Sequence, residues 1–470
     1  MYDFCVIGGG VIGCAIAREL SKYESSVVLV EKEMDVCAGT SGANSGIVHG
    51  GFDAPVGSLM AKFNVEGASL FDELSRDLDF SYKKTGSMVI STSDEESAQL
   101  EVLLCRGKQN GVKSLRIISR SEVIEKFPGV SEKVKQALYV ENSGIVNPFE
   151  LTYAFKENAE ANGVKFIFDF FASEFKENGE SGLLTSADGK TVEAKCFINA
   201  AGVGSESVSK LFGEEAKLTY RKGEYILFDH PSPVAMPIFQ TPSEKGKGVL
   251  ICPTTSDNWF VGPTAINMDE PSSRIRRSAE DELLEAVKKS VSSISLDKKI
   301  TSFAGIRTLS KSGDFVIGKS KASKYLYNVI GICSPGLSSA PAIAKYVAES
   351  FNLNRRTDFN PIRTGIVKFS HLTSEGKRLA IEKNKKYGNI VCRCEVVSEA
   401  EIIEAIRRGA RNVDGIKKRL RTGMGRCQGG FCLPRIIEIL SRELDVSPES
   451  IVRKERGSNY LFKPEAMYED

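Results

Sequence analysis

The residues best spaced for chemistry are four cysteines near the C-terminus and a glycine run near the N-terminus. The cysteines read Cys392-Arg-Cys394 and, after thirty-two intervening residues, Cys427-Gln-Gly-Gly-Phe-Cys432. Two close thiol pairs are a metal-ligand arrangement, because thiolates hold tetrahedral zinc or an iron–sulfur cluster. The glycines read Gly8-Gly9-Gly10-Val11-Ile12-Gly13. A Gly-x-Gly-x-x-Gly run binds a dinucleotide only when it joins a strand to a helix.

That context is present. Residues 3–7 read as a buried strand, helical periodicity runs through Leu20, and Val27 to Val30 read as a second strand ending at Glu31. Gly8 permits the tight turn, Gly10 lets the backbone approach a pyrophosphate, and Gly13 lets helix and strand pack closely. The amides of Val11 and Ile12 open the helix, whose positive end favours phosphate. Glu31, with Lys32 beside it, is placed to accept from a ribose hydroxyl.

Composition bounds the rest. The chain of 470 residues has room for two or three domains. A net charge of +2 argues against a nucleic-acid partner. No apolar run reaches bilayer length, and the start of the chain lacks the basic region of a signal peptide. Eleven cysteines make a poor disulfide framework. Cys5, Cys14, Cys37, Cys105, Cys196, Cys252 and Cys333 read as small buried hydrophobes in a reducing compartment, so a cytoplasmic location is expected.

After Glu31 comes the small, polar stretch Cys37-Ala-Gly-Thr40-Ser41-Gly-Ala-Asn44-Ser45-Gly46-Ile-Val48-His49. It resembles the flavin-contacting loop of the D-amino-acid-oxidase-like family of FAD-dependent dehydrogenases. Cys196-Phe-Ile-Asn-Ala-Ala201-Gly202, Gly313-Asp314-Phe315 and Ser334-Pro-Gly336-Leu337-Ser338-Ser-Ala-Pro341 resemble further segments of that family, in its order. The resemblance implies FAD contacts at these positions and at Ala172. It also implies an anion anchor at Arg307 in Ala304-Gly305-Ile306-Arg307, and a substrate-facing strand at Tyr225. An arginine fork suits two oxygens of an anion. His49 is either a base taking a hydroxyl proton as hydride leaves for flavin N5, or a ring packed beside the flavin; a covalent histidyl bond to the flavin is a third possibility. Gly262-Pro263-Thr264 is a family-like loop without an assigned role. His230 and His371 receive no function.

Alternation at Ser87 to Ile90, Tyr225 to Phe228, Val249 to Cys252 and Trp259 to Gly262 predicts antiparallel strands over the flavin. Ser398-Glu-Ala-Glu401 is a capping box for a helix through Arg408; Val413 to Arg421 and Pro434 to Leu444 predict two more helices. The run Gly423 to Cys432 resembles the bacterioferritin-associated-ferredoxin-like [2Fe-2S] domain, which implies a [2Fe-2S] cluster on Cys392, Cys394, Cys427 and Cys432. Zinc on the same thiolates is the alternative.

The expected fold is α/β. A Rossmann-like FAD-binding domain is assembled from residues 1–80, 146–215 and 301–350. An antiparallel-sheet substrate domain comes from 81–145 and 216–300. A connector (351–388), a small helical [2Fe-2S] domain (389–445) and a tail (446–470) follow. The module and its attachment resemble the anaerobic glycerol-3-phosphate dehydrogenase A family. The loop from His49 to Lys62 and the Ser334 turn, which lacks that family's Gly-Gly-Lys-Leu-Thr pattern, resemble L-2-hydroxyglutarate oxidases. The reaction implied is oxidation of a small anionic secondary alcohol, glycerol 3-phosphate first and an L-2-hydroxy acid second, with electrons leaving through the cluster. Amino-acid or amine oxidation, and an electron-transfer subunit without a substrate of its own, are the remaining readings. The expected acceptor is a second flavoprotein or a carrier subunit, with membrane contact only through a partner.

Overall fold

A computed structural model describes residues 1–242, 248–291 and 294–462. The chain forms two compact units. The first comprises Met1–Val30, Cys37–Ile167 and Ala172–Arg363; the second comprises Glu31–Val36, Phe168–Phe171 and the chain from Thr364 on.

Strand β1 (Tyr2–Ile7) and strand β2 (Val27–Val30) pair in parallel and are joined by helix α1 (Val11–Leu20). All four residues of β2 are buried, as expected of a parallel strand covered on both faces. β1 also pairs in parallel with Thr191–Asn199, β2 with Lys165–Ile167, and Thr191–Asn199 with Leu326–Ile330. An antiparallel hairpin, Ala172–Asn178 with Ser181–Ser186, extends this eight-stranded sheet. Helix α1 packs against helix α3 (Gly336–Glu349), which also packs against helix α2 (Leu59–Ser69).

Among the described residues the second sheet of this unit has nine strands. Strand β3 (Leu218–Phe228) lies antiparallel to strand β4 (Lys299–Ser310) along its whole length. The expected strands are found as Ser87–Ser91, Leu250–Pro253 and Trp259–Gly262, with Tyr225 to Phe228 inside β3. One pair, Ile238–Gln240 with Ser87–Ser91, is parallel, so the sheet is not wholly antiparallel. Residues 301–310, expected with the FAD segments, belong to this sheet, because β4 is held edge to edge by β3. One face of the sheet buries Ile226, Phe228 and Trp259, the last two stacked at 4.1 Å. The other buries Tyr225, Phe239 and Phe260 with Ile47 and Phe52.

In the second unit, helices α4 (Glu399–Arg407), α5 (Val413–Leu420) and α6 (Leu433–Leu444) surround Ile402, Ile416, Ile436, Ile439 and Leu440. The capping box is formed as expected: Ser398 Oγ accepts from the Glu401 amide while the Glu401 carboxylate accepts from the Ser398 amide. A buried ion pair joins Arg419 to Asp35.

The expected connector is not a free linker. Residues 351–363 belong to the first unit: Asn162 Oδ1 accepts from the Asn360 amide at 2.8 Å, and Arg363 pairs with Glu157 at 2.8 Å. From Thr364 the chain joins the second unit, where the buried Phe369 donates its amide to Glu401 at 3.1 Å. The tail also packs: the Val413 amide donates to Val452 O at 3.2 Å. Residues 463–470 of that expected tail, and 243–247 and 292–293 of the expected substrate segment, lie outside the described residues. Of the scattered cysteines, Cys105 is exposed and Cys196 half-buried; the other five are buried. Among the described residues no helix is long and apolar enough to cross a membrane.

Candidate active site and cysteine centre

The glycine turn is built for a close approach. Gly8 has φ +113°, and a Cβ there would stand 2.6 Å from Ala200 O; a Cβ on Gly13 would meet Gly8 O at 1.9 Å. Each of these positions therefore excludes a side chain. The turn Ala200-Ala201-Gly202 is thereby set beside Gly8, with the Ala201 amide donating to Asn199 Oδ1 at 3.3 Å. No side chain caps α1 at Gly10 from its own position. Instead Ser41 Oγ accepts from the Val11 amide at 2.9 Å, reaching in from the loop after β2.

That loop is held from several sides. Asn44 donates to Thr40 O and Ser41 O and accepts from the Gly46 amide, closing the loop on itself. Thr40 Oγ1 donates to Ile306 O at 2.7 Å. A Cβ on Gly305 would lie 1.9 Å from Ala43 O. Strand β4 therefore passes directly against the loop, and the residue after Ile306 is Arg307. Ser45 follows Asn44 in the same loop, and Val48 is buried in a short strand.

His49 follows that strand. Its amide donates to Ser338 Oγ at 2.8 Å, its carbonyl accepts from Asn64, and its Nε2 lies 3.4 Å from Ser334 Oγ. Its ring centroid is 5.8 Å from that of Phe239. Ser338 belongs to the first turn of α3, after Gly336 and Leu337, and this helix too starts without a side-chain cap. Two helix starts without an N-cap side chain of their own, and a backbone cradle that rejects Cβ atoms, suit an extended anionic dinucleotide. The residues present fit FAD.

Arg307 is half-buried on β4 opposite Arg221 of β3. Its Nη2 stands 3.3 Å from where a Cβ on Gly223 would be, so the guanidinium lies over a position kept empty by glycine. Among the described residues it meets no carboxylate. Tyr225 is 5 % exposed; it stacks on Phe303 at 4.7 Å and meets Phe260 edge-on. The structure thus gives Tyr225 a place in the core.

Asp314, expected at the cofactor, has its carboxylate engaged within the protein: it accepts from the amides of Leu59 at 2.7 Å, Met60 at 2.9 Å and Phe315 at 2.8 Å. It anchors the N-terminus of α2. Ala172 opens a strand of the hairpin beside the first sheet. Glu31 and Lys32 belong to the second unit: Glu31 is buried with Oε1 accepting from the Glu33 amide at 3.0 Å, and Lys32 is exposed beside Glu33. Asn64 and Gly223 were not singled out from sequence; Ser334 and Gly305 entered only as members of the Ser334 to Pro341 and Ala304 to Arg307 runs.

The four cysteines meet as two pairs. Cys394 Sγ lies 3.6 Å from Cys427 Sγ, and Cys392 is in hydrogen-bond contact with Cys432. That contact, with the Glu395 and Gly423 amides, holds the Cys392 thiol down at about 6, while Cys432 is pushed well up. A binuclear cluster takes two thiolates per iron, and two neighbouring thiol pairs fit a [2Fe-2S] cluster on Cys392, Cys394, Cys427 and Cys432.

Comparison with known proteins agrees. Residues 3–350 match the family model "FAD dependent oxidoreductase", and residues 390–442 match "BFD-like [2Fe-2S] binding domain". The chain is 42 % identical over 476 aligned residues to "Glycerol 3-phosphate dehydrogenase" of Caloramator mitchellensis, covering 99 % of each. It is 31 % identical to "L-2-hydroxyglutarate dehydrogenase, mitochondrial" of Caenorhabditis elegans over 56 % of this chain and 64 % of that one. The solved structure of "L-alpha-Glycerophosphate Oxidase from Mycoplasma pneumoniae with FAD bound", dithionite reduced, superposes with TM-score 0.73 at 29 % identity, covering 77 % of this chain and 98 % of that one. The chain belongs to the FAD dependent oxidoreductase family, and it ends in a BFD-like [2Fe-2S] binding domain.

Proposed function

We propose that the protein is a glycerol-3-phosphate dehydrogenase, oxidising the secondary alcohol to dihydroxyacetone phosphate and exporting the electrons through its [2Fe-2S] cluster. The observation that carries this reading is the 42 % identity to a glycerol 3-phosphate dehydrogenase over 99 % of both chains, cluster module included. The L-2-hydroxyglutarate relative is matched over only 56 % of this chain.

Bound FAD supplies a two-electron acceptor that takes hydride at N5. The chain's residues do the rest. Arg307 binds the substrate anion, its fork unengaged by any carboxylate among the described residues. His49 takes the hydroxyl proton at Nε2, held by the Ser338 bond at its amide and turned toward Ser334. The second sheet shields the reacting carbon from water with Tyr225, Phe239 and Phe303. Cys392, Cys394, Cys427 and Cys432 would hold the cluster, which would supply a one-electron route to a second flavoprotein or a carrier subunit in place of oxygen.

Anaerobic flavin bleaching tests this. Glycerol 3-phosphate is expected to bleach the flavin of the purified holoenzyme, and His49→Gln to slow bleaching by about 10²–10⁴-fold. Bleaching by L-2-hydroxyglutarate and not by glycerol 3-phosphate would overturn the substrate. Bleaching by no anionic alcohol, with reduction by a partner flavoprotein, would mark an electron-transfer subunit.

A further inference from the structure

Arg221 and Arg307 face each other across β3 and β4 in direct register. Directly opposed residues of an antiparallel pair point to the same face with Cβ atoms roughly 5 Å apart, and like charges there repel. Such a repulsion is ordinarily relieved by a carboxylate. Among the described residues neither arginine has one.

Arg221 is instead aimed. Its Nε donates to Asn267 Oδ1 at 2.8 Å, across the register pair Arg221 and Asn267 on the other edge of β3. That bond fixes the plane of the guanidinium and leaves its two terminal nitrogens for a ligand. Arg307 leans along the same face over Gly223, where a side chain would press on it at 3.3 Å and on Pro263 at 2.7 Å. Two steps along β4, Gly305 puts this face against the loop at Ala43. The two cations therefore share the face of the sheet turned toward the flavin loop.

We infer that Arg221 is a second anion-binding residue, which with Arg307 holds a doubly charged phosphate monoester and sets the preference for phosphate over a single carboxylate. This rests on the substrate reading above and deepens it. A phosphate dianion carries the two charges that two guanidinium groups neutralise, and its three oxygens accept from both forks. It also supplies the phosphate-side cation for which the turn at Ser334 has no lysine.

The test is calorimetric titration of inorganic phosphate into the oxidised holoenzyme, beside anaerobic bleaching by glycerol 3-phosphate. Arg221→Gln is expected to weaken phosphate binding tenfold or more and to raise the apparent KM for glycerol 3-phosphate by a similar factor, with a much smaller fall in the limiting bleaching rate. Arg221→Lys, which keeps the charge and loses the fork, is expected to fall between. Phosphate binding to Arg221→Gln as tight as to the parent protein overturns the assignment, as does an equal loss in both variants confined to the limiting rate. If L-2-hydroxyglutarate alone bleaches the flavin while Arg221→Gln still weakens phosphate binding, the substrate reading falls and the paired-arginine site stands. The flavin spectrum of each variant reports that its fold is intact.

Discussion

The amide of His49 donates to Ser338 Oγ at 2.8 Å, and that same hydroxyl donates to Ile47 O at 3.2 Å. One side chain in the first turn of α3 thus holds both ends of the step that delivers His49. Ser338 is fully buried, so water cannot replace it. Ser338→Ala leaves the His49 amide without its acceptor, at a cost of about 1–3 kcal/mol. A lower urea midpoint together with slower flavin bleaching is expected; a slower rate with the midpoint unmoved would mean that Ser338 acts on the chemistry and not through His49's placement.

The contact between β4 and the loop around Thr40 to Asn44 is equally specific. A methyl group at Gly305 has nowhere to go, because its nearest neighbour is the backbone carbonyl of Ala43. Gly305→Ala forces strand and loop apart and is expected to cost about 3 kcal/mol or more, with FAD lost on gel filtration. Gly39 lies in the same loop, at negative φ, with nothing within 4 Å of its would-be Cβ. Gly39→Ala is expected to keep its FAD. Equal FAD content in the two variants would contradict this account of the loop.

Asp314 shows what sequence could not disclose. The glycine fingerprint was legible because every requirement lay within about thirty residues of β1, and the capping box because Ser398 and Glu401 are three apart. Asp314 accepts from amides 254 and 255 residues away, and no local pattern reports that. Separation along the chain also hid the facing of Arg221 and Arg307, and the polar side chains of Asn158 and Asn162 that bind Asn360 disguised residues 351–363 as a linker. Asp314→Ala removes the carboxylate at the start of α2 and is expected to cost about 1–2 kcal/mol, with FAD content unchanged. Loss of FAD without loss of stability would instead mark a direct cofactor role for Asp314.

In the second unit, Arg419 and Asp35 are 2 % and 8 % exposed at the side chain. Breaking such a pair strands a buried charge. Asp35→Asn is therefore expected to destabilise the unit by about 3–5 kcal/mol, seen as an earlier thermal transition accompanied by loss of iron–sulfur absorption. The exposed pair Arg378 and Glu382 serves as the comparison: Glu382→Gln is expected to leave the transition where it is. A transition unshifted by Asp35→Asn would mean the pair contributes nothing net.

The cysteine pairs predict separable electron steps. Cys394 is exposed and sits 3.6 Å from Cys427, while Cys392 and Cys432 are buried. Cys394→Ser removes one of the four thiolates at the exposed edge without disturbing the apolar core that contains the buried pair. The iron content and the iron–sulfur absorption are expected to fall, since serine is a poor iron ligand at neutral pH. Flavin bleaching by substrate is expected to continue, because His49 and Arg307 are untouched, while reduction of a one-electron acceptor slows. Cys105→Ser, at an exposed position on a helix of the first unit, is expected to change none of these. If Cys394→Ser kept its iron and its acceptor rate, the thiolate set would have to be assigned differently; if it lost flavin bleaching as well, the two centres would not be the independent stages that their separate ligand sets imply.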